Sequence, residues 1–366
     1  MLLDVNNLFT FLLSNMFIFF TYRFHAKLIK RNERSSSMSL IEVKNLHKEF
    51  RKPVRGEGVL GMIKTLFSRK YIAIDAVKNI SFNIDEGEIV GYIGANGAGK
   101  STTIKMMCGI LHPTSGEVLV DSLNVQENRK QVNKEIGVVF GQKTQLWWDI
   151  PVVETFKILK DIYEVSDEDY KERMEFLSEL LDLNEFMDQN VRSLSLGQRM
   201  RADFAASLIH NPKILYLDEP TIGLDVLVKD KIRKAIKSLN KRYHTTIILT
   251  THDMKDIEEL CSRIIIIDKG EILYDGSLDK IKYQFGNIKT ILFPCQKDKI
   301  EEDKIPSNIK FEHIDNNVRL SFSLNEVNLD NVLLKLINDY KIEDFKIEDI
   351  GIEEITKKLY EKSKEN

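Results

Sequence analysis

The 366-residue chain is predicted to be an α/β protein built on a mostly parallel sheet and followed by a small C-terminal α+β unit. Two observations support this reading. From Met38 onward, short β-branched runs alternate with helical periodicities, the pattern of strand–helix–strand units. Runs such as ILYL at 214–217 and TIIL at 246–249 are apolar without alternation, as in strands covered by helices on both faces.

Taken in order, IEVKNL (41–46), ISFNI (80–84) and EIVGYI (88–93) read as strands, and a helix starts near Lys100. EVLV (117–120) and IGVVF (136–140) follow as strands. Between Val153 and about Asn190 the chain turns helical and charged, with KILKDIYE and YKERMEFLSELLDL, as expected of a helical insertion into the sheet. ILYLDE, TTIILTT and RIIIID then return to the sheet. The organisation changes near Gly286. Three short strands (KTILFP, IKFEHI, VRLSFSL), a helix (NLDNVLLKLINDY), FKIED and a final helix near 352–361 form an appendage without a catalytic constellation, expected to serve packing or dimer stability. The expected divisions are an extension at 1–37, a main domain at 38–285 and an accessory domain at 286–366.

Composition limits the function. Fifty-three basic against 56 acidic side chains leave a net charge of −3, so no global field attracts a polyanion and nucleic acid is not an expected partner. Cys108, Cys261 and Cys295 lie far apart with no C-x-x-C spacing, which argues against a disulfide frame or a zinc site and fits a reduced cytosol. Residues 8–22 form an uncharged apolar run followed by the basic RFHAKLIKRNER. The run is short of the about 20 residues that span a bilayer. A marginal anchor, a signal-like segment and sequence upstream of a true start at Met38 all fit it.

The strongest local signal is GANGAGKST, directly after the strand EIVGYI and directly before a helix. It comprises Gly94, Ala95, Asn96, Gly97, Ala98, Gly99, Lys100, Ser101 and Thr102, the G-x-x-x-x-G-K-[ST] phosphate loop in its required context. Glycines let successive backbone N–H groups curl around phosphate oxygens, and the helix offers its positive end to the same anion. Lys100 would reach the β- and γ-phosphates, and Ser101 would offer a hydroxyl to Mg²⁺. KILYLDEP then delivers two adjacent carboxylates at the end of an apolar strand. Asp218 fits a Mg²⁺-holding carboxylate and Glu219 a base or water-orienting group.

Those motifs define a nucleotidase site shared by many unrelated P-loop enzymes; LSLGQRMRADFAASLIH (194–210) is more discriminating. It resembles the signature segment of ATP-binding cassettes, usually written LSGGQ, with Ser195, Gly197 and Gln198 matching and Leu196 in place of a glycine. The resemblance to ATP-binding subunits of ABC transporters covers about residues 38–285. It implies a P-loop NTPase cassette with an antiparallel β subdomain and an inserted helical subdomain. It also implies ATP and Mg²⁺ held between two copies arranged head to tail, separately encoded permease subunits, and a place on the cytoplasmic face of the cell membrane. By the same resemblance Gln142 would sense Mg²⁺ and the attacking water, and Asp225 would communicate across the dimer. His252 would contact the γ-phosphate, and Tyr71 would stack on adenine, with Phe50 as its rival. The basic 51–70 segment, the FGQ-x-x-x-LWW stretch with Trp147 and Trp148, and SLGQRMR look like the branch serving multidrug, antibiotic or viologen exporters. The basic segment fits a membrane-facing helix or a solvated loop, and the tryptophans fit an interface or a core. An importer subunit and a non-transport cassette acting on ribosomes or DNA are the alternatives.

Overall fold

The computed structural model describes residues 39–53, 71–141, 143–294, 306–314, 317–340, 342 and 344–365. The apolar run at 8–22, most of the basic segment, Gln142 and Cys295 lie outside the described residues. Three sheets and their helices make up the rest.

β1 (Ile41–Pro53) and β2 (Tyr71–Ile84) pair antiparallel, and β3 (Ile89–Gly94) runs through the phosphate loop into α1 (Lys100–Met107). β4 (Ser115–Val120), β5 (Leu123–Asn124), α2 (Arg129–Glu135) and β6 (Ile136–Phe140) follow. The helical insertion comprises α3 (Val152–Ile162), α4 (Asp167–Leu181) and α5 (Leu196–Ala206). The chain then alternates through β7 (Ile214–Asp218), α6 (Val226–Tyr243), β8 (Thr246–Thr250), α7 (Met254–Leu260), β9 (Arg263–Asp268), β10 (Glu271–Ser277) and α8 (Leu278–Gln284). The C-terminal unit holds β11 (Ile288–Pro294), β12 (Ile309–Ile314), β13 (Asn317–Ser323), α9 (Leu329–Tyr340), β14 (Lys346–Asp349) and α10 (Ile352–Glu365).

The central sheet has the order β10-β9-β3-β8-β7-β6, parallel except for β10. Its apolar runs are buried on both faces because consecutive residues enter two separate cores. Leu215 and Leu217 pack with the helical insertion and α6. Ile214 and Tyr216 pack with α1 and with the antiparallel sheet β2-β1-β4-β5. That period-two division needs apolar residues at every position, so the strands read as unbroken hydrophobic runs.

Sheet order places the site. β8 lies between β3 and β7, so the segment leaving β8 passes between the phosphate loop and the end of β7. In open α/β sheets ligands bind outside such carboxyl strand ends. The C-terminal sheet, β12-β13-β11-β14, covers its own small core with α9, formed by Ile291, Phe293, Val318, Leu320, Phe322 and Leu336 among others. α10 behaves differently, since Ile352 and Ile355 are buried in the core of the main sheet. Among the described residues no helix is long and apolar enough to cross a membrane.

Candidate nucleotide-hydrolysis site

The phosphate loop is shaped by neighbours that leave no room for side chains. Gly99 sits at the N-cap of α1 with φ 109°, and a Cβ there would lie 2.5 Å from the Ala76 carbonyl oxygen. Gly94 passes under Ile267, whose carbonyl oxygen would meet a Cβ at 2.6 Å. Gly97 takes φ 82° with open space around it, on the side left free for a ligand. The first turn of α1 therefore presents unpaired amides to that space.

Lys100 is 94% buried by its 6% relative exposure, and its Nζ donates to the Gly94 carbonyl at 2.7 Å and the Ala95 carbonyl at 3.2 Å. Burial pulls its pKa down, against the opposing pull of Glu219 and Asp218. An ammonium held by carbonyl dipoles in a dehydrated site is poised for a stronger anionic partner.

At the next strand ends, Asp218 is the register neighbour of Thr250 on β8 and of Phe140 on β6. Its Oδ1 accepts from Thr250 Oγ1 at 2.6 Å and from Ser101 Oγ at 3.3 Å. Thr250 thus orients the carboxylate, a residue that the motif reading passed over. Ser101 and Asp218 offer one hydroxyl and one carboxylate oxygen on one side of the loop. Among the described residues no group of three or more His, Cys, Asp or Glu side chains could hold a metal by itself. This donor set suits Mg²⁺, which takes one or two protein oxygens and completes its shell with water and substrate phosphate.

Glu219 follows with φ 56°, a left-handed conformation worth roughly 1–2 kcal/mol of strain in a residue with a Cβ. Its amide donates to the Thr250 carbonyl at 3.0 Å and to Thr250 Oγ1 at 3.1 Å. Gly141 on the adjacent loop has no room for a Cβ, which would lie 2.2 Å from the Glu219 carbonyl oxygen. Held this way, Glu219 directs Oε1 to within 2.9 Å of His252 Nε2. The two side chains line a cavity of about 460 Å³ together with Thr221, Gly223, Lys229 and Glu353.

Ser195 and Gln198 form a capping box at the start of α5. The Gln198 amide donates to Ser195 Oγ at 3.2 Å and the Ser195 amide to Gln198 Oε1 at 2.9 Å. As an acceptor in the cap, the serine keeps its hydroxyl proton to donate. A Cβ on Gly197 would sit 3.1 Å from Val228 Cγ2, so within this chain its small size serves the approach of α5 to α6. Asp225 caps α6, accepting from the Val228 amide at 3.0 Å. These four residues lie together at the starts of two neighbouring helices. Among the described residues no hydrogen bond joins them to the phosphate loop.

Tyr71 begins β2 opposite Pro53 and is 56% exposed; Phe50, opposite Ile74, is also exposed, with Lys48 Nζ 5.3 Å from its ring centre. Trp147 and Trp148 are also exposed, at 42% and 49%, and the Arg199 guanidinium stacks 5.3 Å from the Trp148 ring centre. Cys108 and Cys261 are buried free thiols.

Asp203, inside α5, was not singled out by motif. Its Oδ1 accepts from the Gln145 amide at 3.0 Å, and its carbonyl accepts from Gln145 Nε2 at 3.1 Å, tying the loop after β6 to the signature helix. Burial pushes its carboxyl up to about 6, against the Thr144 hydroxyl, the Gln145 amide and the Arg199 charge. A raised carboxyl contributes stability that is complete below its unfolded pKa and lost as pH rises through the folded value. Stability should therefore fall by up to about 3 kcal/mol between pH 4 and pH 6 through this one group. Asp203→Asn removes that dependence, so the urea midpoint of the variant should gain on wild type as pH rises from 4 to 7. A pH-independent difference would contradict the assignment.

A glycine-rich phosphate loop, a buried lysine and two acids at the next strand ends define a nucleotide-hydrolysing P-loop ATPase. The family described as ABC transporter matches residues 77–222. The ABC transporter ATP-binding protein NatA of Bacillus subtilis (strain 168) is 34% identical over 215 residues, 59% of this chain and 87% of that one. The methionine import ATP-binding protein MetN 2 of Enterococcus faecalis (strain ATCC 700802 / V583) is 30% identical over 289 residues, 77% of this chain and 83% of that one. Among solved structures, a dimeric ATP-binding cassette in a post-hydrolysis state bound to ADP and Pi is 30% identical with a TM-score of 0.55, covering 65% of this chain and 98% of that one. The chain belongs to the ABC transporter ATP-binding proteins and is an ATPase of that family.

Proposed function

We propose that this chain hydrolyses ATP between two cassettes to drive an exporter whose permease subunits are separate chains, at the cytoplasmic face of the cell membrane. The observation that carries the two-cassette reading is that, among the described residues, no hydrogen bond joins the Ser195 helix start to the phosphate loop of the same chain. Around that helix start, Leu196, Val226 and Leu227 are exposed, Leu227 at 81%, an apolar surface suited to a second copy. In the closed pair, Ser195, Gly197 and Gln198 of one copy face the γ-phosphate bound by the other, and Asp225 lies at the contact.

In the bound state the amides from Gly97 to Thr102 wrap the phosphates, and Lys100 leaves the Gly94 and Ala95 carbonyls for phosphate oxygen. Ser101 and Asp218 would hold Mg²⁺, and the ion would supply positive charge to the phosphate oxygens; Gln142, expected to sense the ion, lies outside the described residues. Glu219 accepts a proton from the attacking water, and His252 holds Glu219 and reaches the γ-phosphate. Tyr71, exposed at the start of β2, stacks on adenine.

The exposed Trp147 and Trp148, with Ile158 and Ile162 also exposed on α3, form the surface offered to the permease. Export rests on the likeness of the basic segment, the LWW stretch and SLGQRMR to exporter cassettes; import is the second reading, favoured by the match to a methionine importer along most of the chain. Co-expression with multi-span partners, co-purification and transport in inside-out vesicles tests both. ATP-dependent accumulation of cargo inside such vesicles supports export. A requirement for a solute-binding protein, with flux in the opposite sense, sinks it.

A further inference from the structure

The ATP site lies at the carboxyl ends of the strands, where β7 and β8 finish. A second cavity, of about 520 Å³, lies where β6 and β7 begin. Its walls come from Tyr163 after α3, Arg173 on α4, His210 ahead of β7 and Tyr243 at the end of α6. The volume is in the range that holds a small molecule.

Arg173 is only 7% exposed, and among the described residues no hydrogen bond or ion pair reaches its guanidinium. The Tyr243 ring centre lies 4.1 Å from its Cζ. A ring face answers part of the charge but offers no oxygen to five N–H donors. The acids on the same lining are committed elsewhere. Glu172 pairs with Arg242 at 3.4 Å, Glu164 pairs with Lys134, and Asp169 accepts from Ser166 Oγ at 2.8 Å in the cap of α4. A buried cation without a carboxylate is costly in the empty cavity, and an anionic occupant removes that cost.

Another part of the wall is a stacked pair, Tyr163 and His210, with ring centres 3.9 Å apart and 7° between their planes. His210 Nε2 lies 2.9 Å from the Ile136 carbonyl oxygen, and burial pulls the imidazole down to about 4, so the ring is neutral. Arg173 is therefore the single cation on the lining.

We infer that this cavity binds a small organic carboxylate, held by the Arg173 fork with its carbon skeleton against the aromatic side chains. A planar carboxylate meets a guanidinium through two parallel hydrogen bonds. The rings of Tyr163 and Tyr243 suit a flat apolar body. A phosphate dianion is disfavoured, because Glu164, Asp169 and Glu172 share the lining. The site stands apart from the phosphate loop and does not depend on the direction of transport.

The test is a ligand-observed NMR titration of benzoate into the full-length protein saturated with ADP and Mg²⁺, so that the phosphate loop is already filled. Benzoate should bind saturably, and its neutral isostere benzamide at least about tenfold more weakly. Arg173→Met keeps the packing stem and removes the charge. It should weaken benzoate binding about ten- to 100-fold, with the melting temperature close to wild type. Asp169→Asn keeps an oxygen for Ser166 and removes a nearby negative charge, so benzoate should bind it about two- to fivefold more tightly. Absence of saturable binding, equal affinity for benzoate and benzamide, or unchanged affinity in Arg173→Met would overturn the proposal. Should Arg173→Met not fold, the Asp169→Asn titration decides alone, and unchanged or weaker binding there overturns it.

Discussion

Replacing Glu219 by glutamine lowers phosphate release by about 10²–10⁴-fold and leaves ATP binding intact, the range for removing a general base. Glutamine has nearly the same shape, and its side-chain oxygen can still accept from His252 Nε2, which lies 2.9 Å from Oε1 in the wild type. The strained φ of 56° and the amide bonds to Thr250 do not depend on the side-chain charge, so the loop keeps its path. Lys100 and Ser101 are untouched. What the substitution removes is the ability to take a proton from water. Single-turnover phosphate release, with probe binding measured in parallel, separates the two effects. An ATP-bound pair that cannot discharge should accumulate, visible as a nucleotide-dependent shift in size-exclusion chromatography. Turnover near wild type would remove Glu219 from the base role and leave it as a structural partner of His252.

The residues just discussed were legible because their chemistry is local. A phosphate loop needs its glycines, lysine and serine within nine residues, and a buried strand ending in two acids is visible in any window that contains it. The capping box of Ser195 and Gln198 is likewise a four-residue pattern. The six-stranded sheet was legible because double-sided burial writes unbroken apolar runs. Where burial is one-sided or absent the sequence said less. β1 extends to Pro53 through HKEFRKP, well past the expected end at Leu46, as an exposed ribbon with register shifts and no apolar signature. The helix at 129–135 and the two-residue β5 also passed without notice, each too short and polar to show a period. Groups whose role depends on a distant partner were invisible. Asp203 is one acid inside a helix until Gln145 folds over it. Glu353 reads as one acid of a terminal helix until that helix inserts two isoleucines into the main core and brings it to the Glu219–His252 cavity. The C-terminal appendage was therefore expected to stand apart from the chemistry, although α10 brings Glu353 to the Glu219–His252 cavity.

Asp256 shows the same limit at its largest energetic scale, and its loss should destabilise the protein by about 3–5 kcal/mol, the penalty for breaking a buried ion pair from one side. The residue is fully buried at the start of α7. Its carboxylate accepts from Arg233 Nε at 2.6 Å, Thr221 Oγ1 at 2.6 Å and Thr251 Oγ1 at 3.1 Å. Arg233 is itself buried and keeps Asp230 at 2.8 Å and Asp253 at 3.4 Å as further partners, so Asp256→Ala strands one guanidinium edge and two hydroxyls. Thr221 stands two residues after Glu219, and Thr251 immediately precedes His252. One carboxylate therefore ties together the two loops that carry the cavity pair, and its removal should lower kcat as well as stability. Urea unfolding of Asp256→Ala, Arg233→Met and the double variant forms a cycle. The double variant should lose less than the sum of the singles, because removing both partners leaves no buried charge alone. Simple additivity, or a single-variant loss below about 1 kcal/mol as for an exposed ion pair, would show that the network does not hold these loops. A rescued fold with depressed kcat in the double variant would locate its contribution in loop alignment, separate from the stability of the sheet beneath.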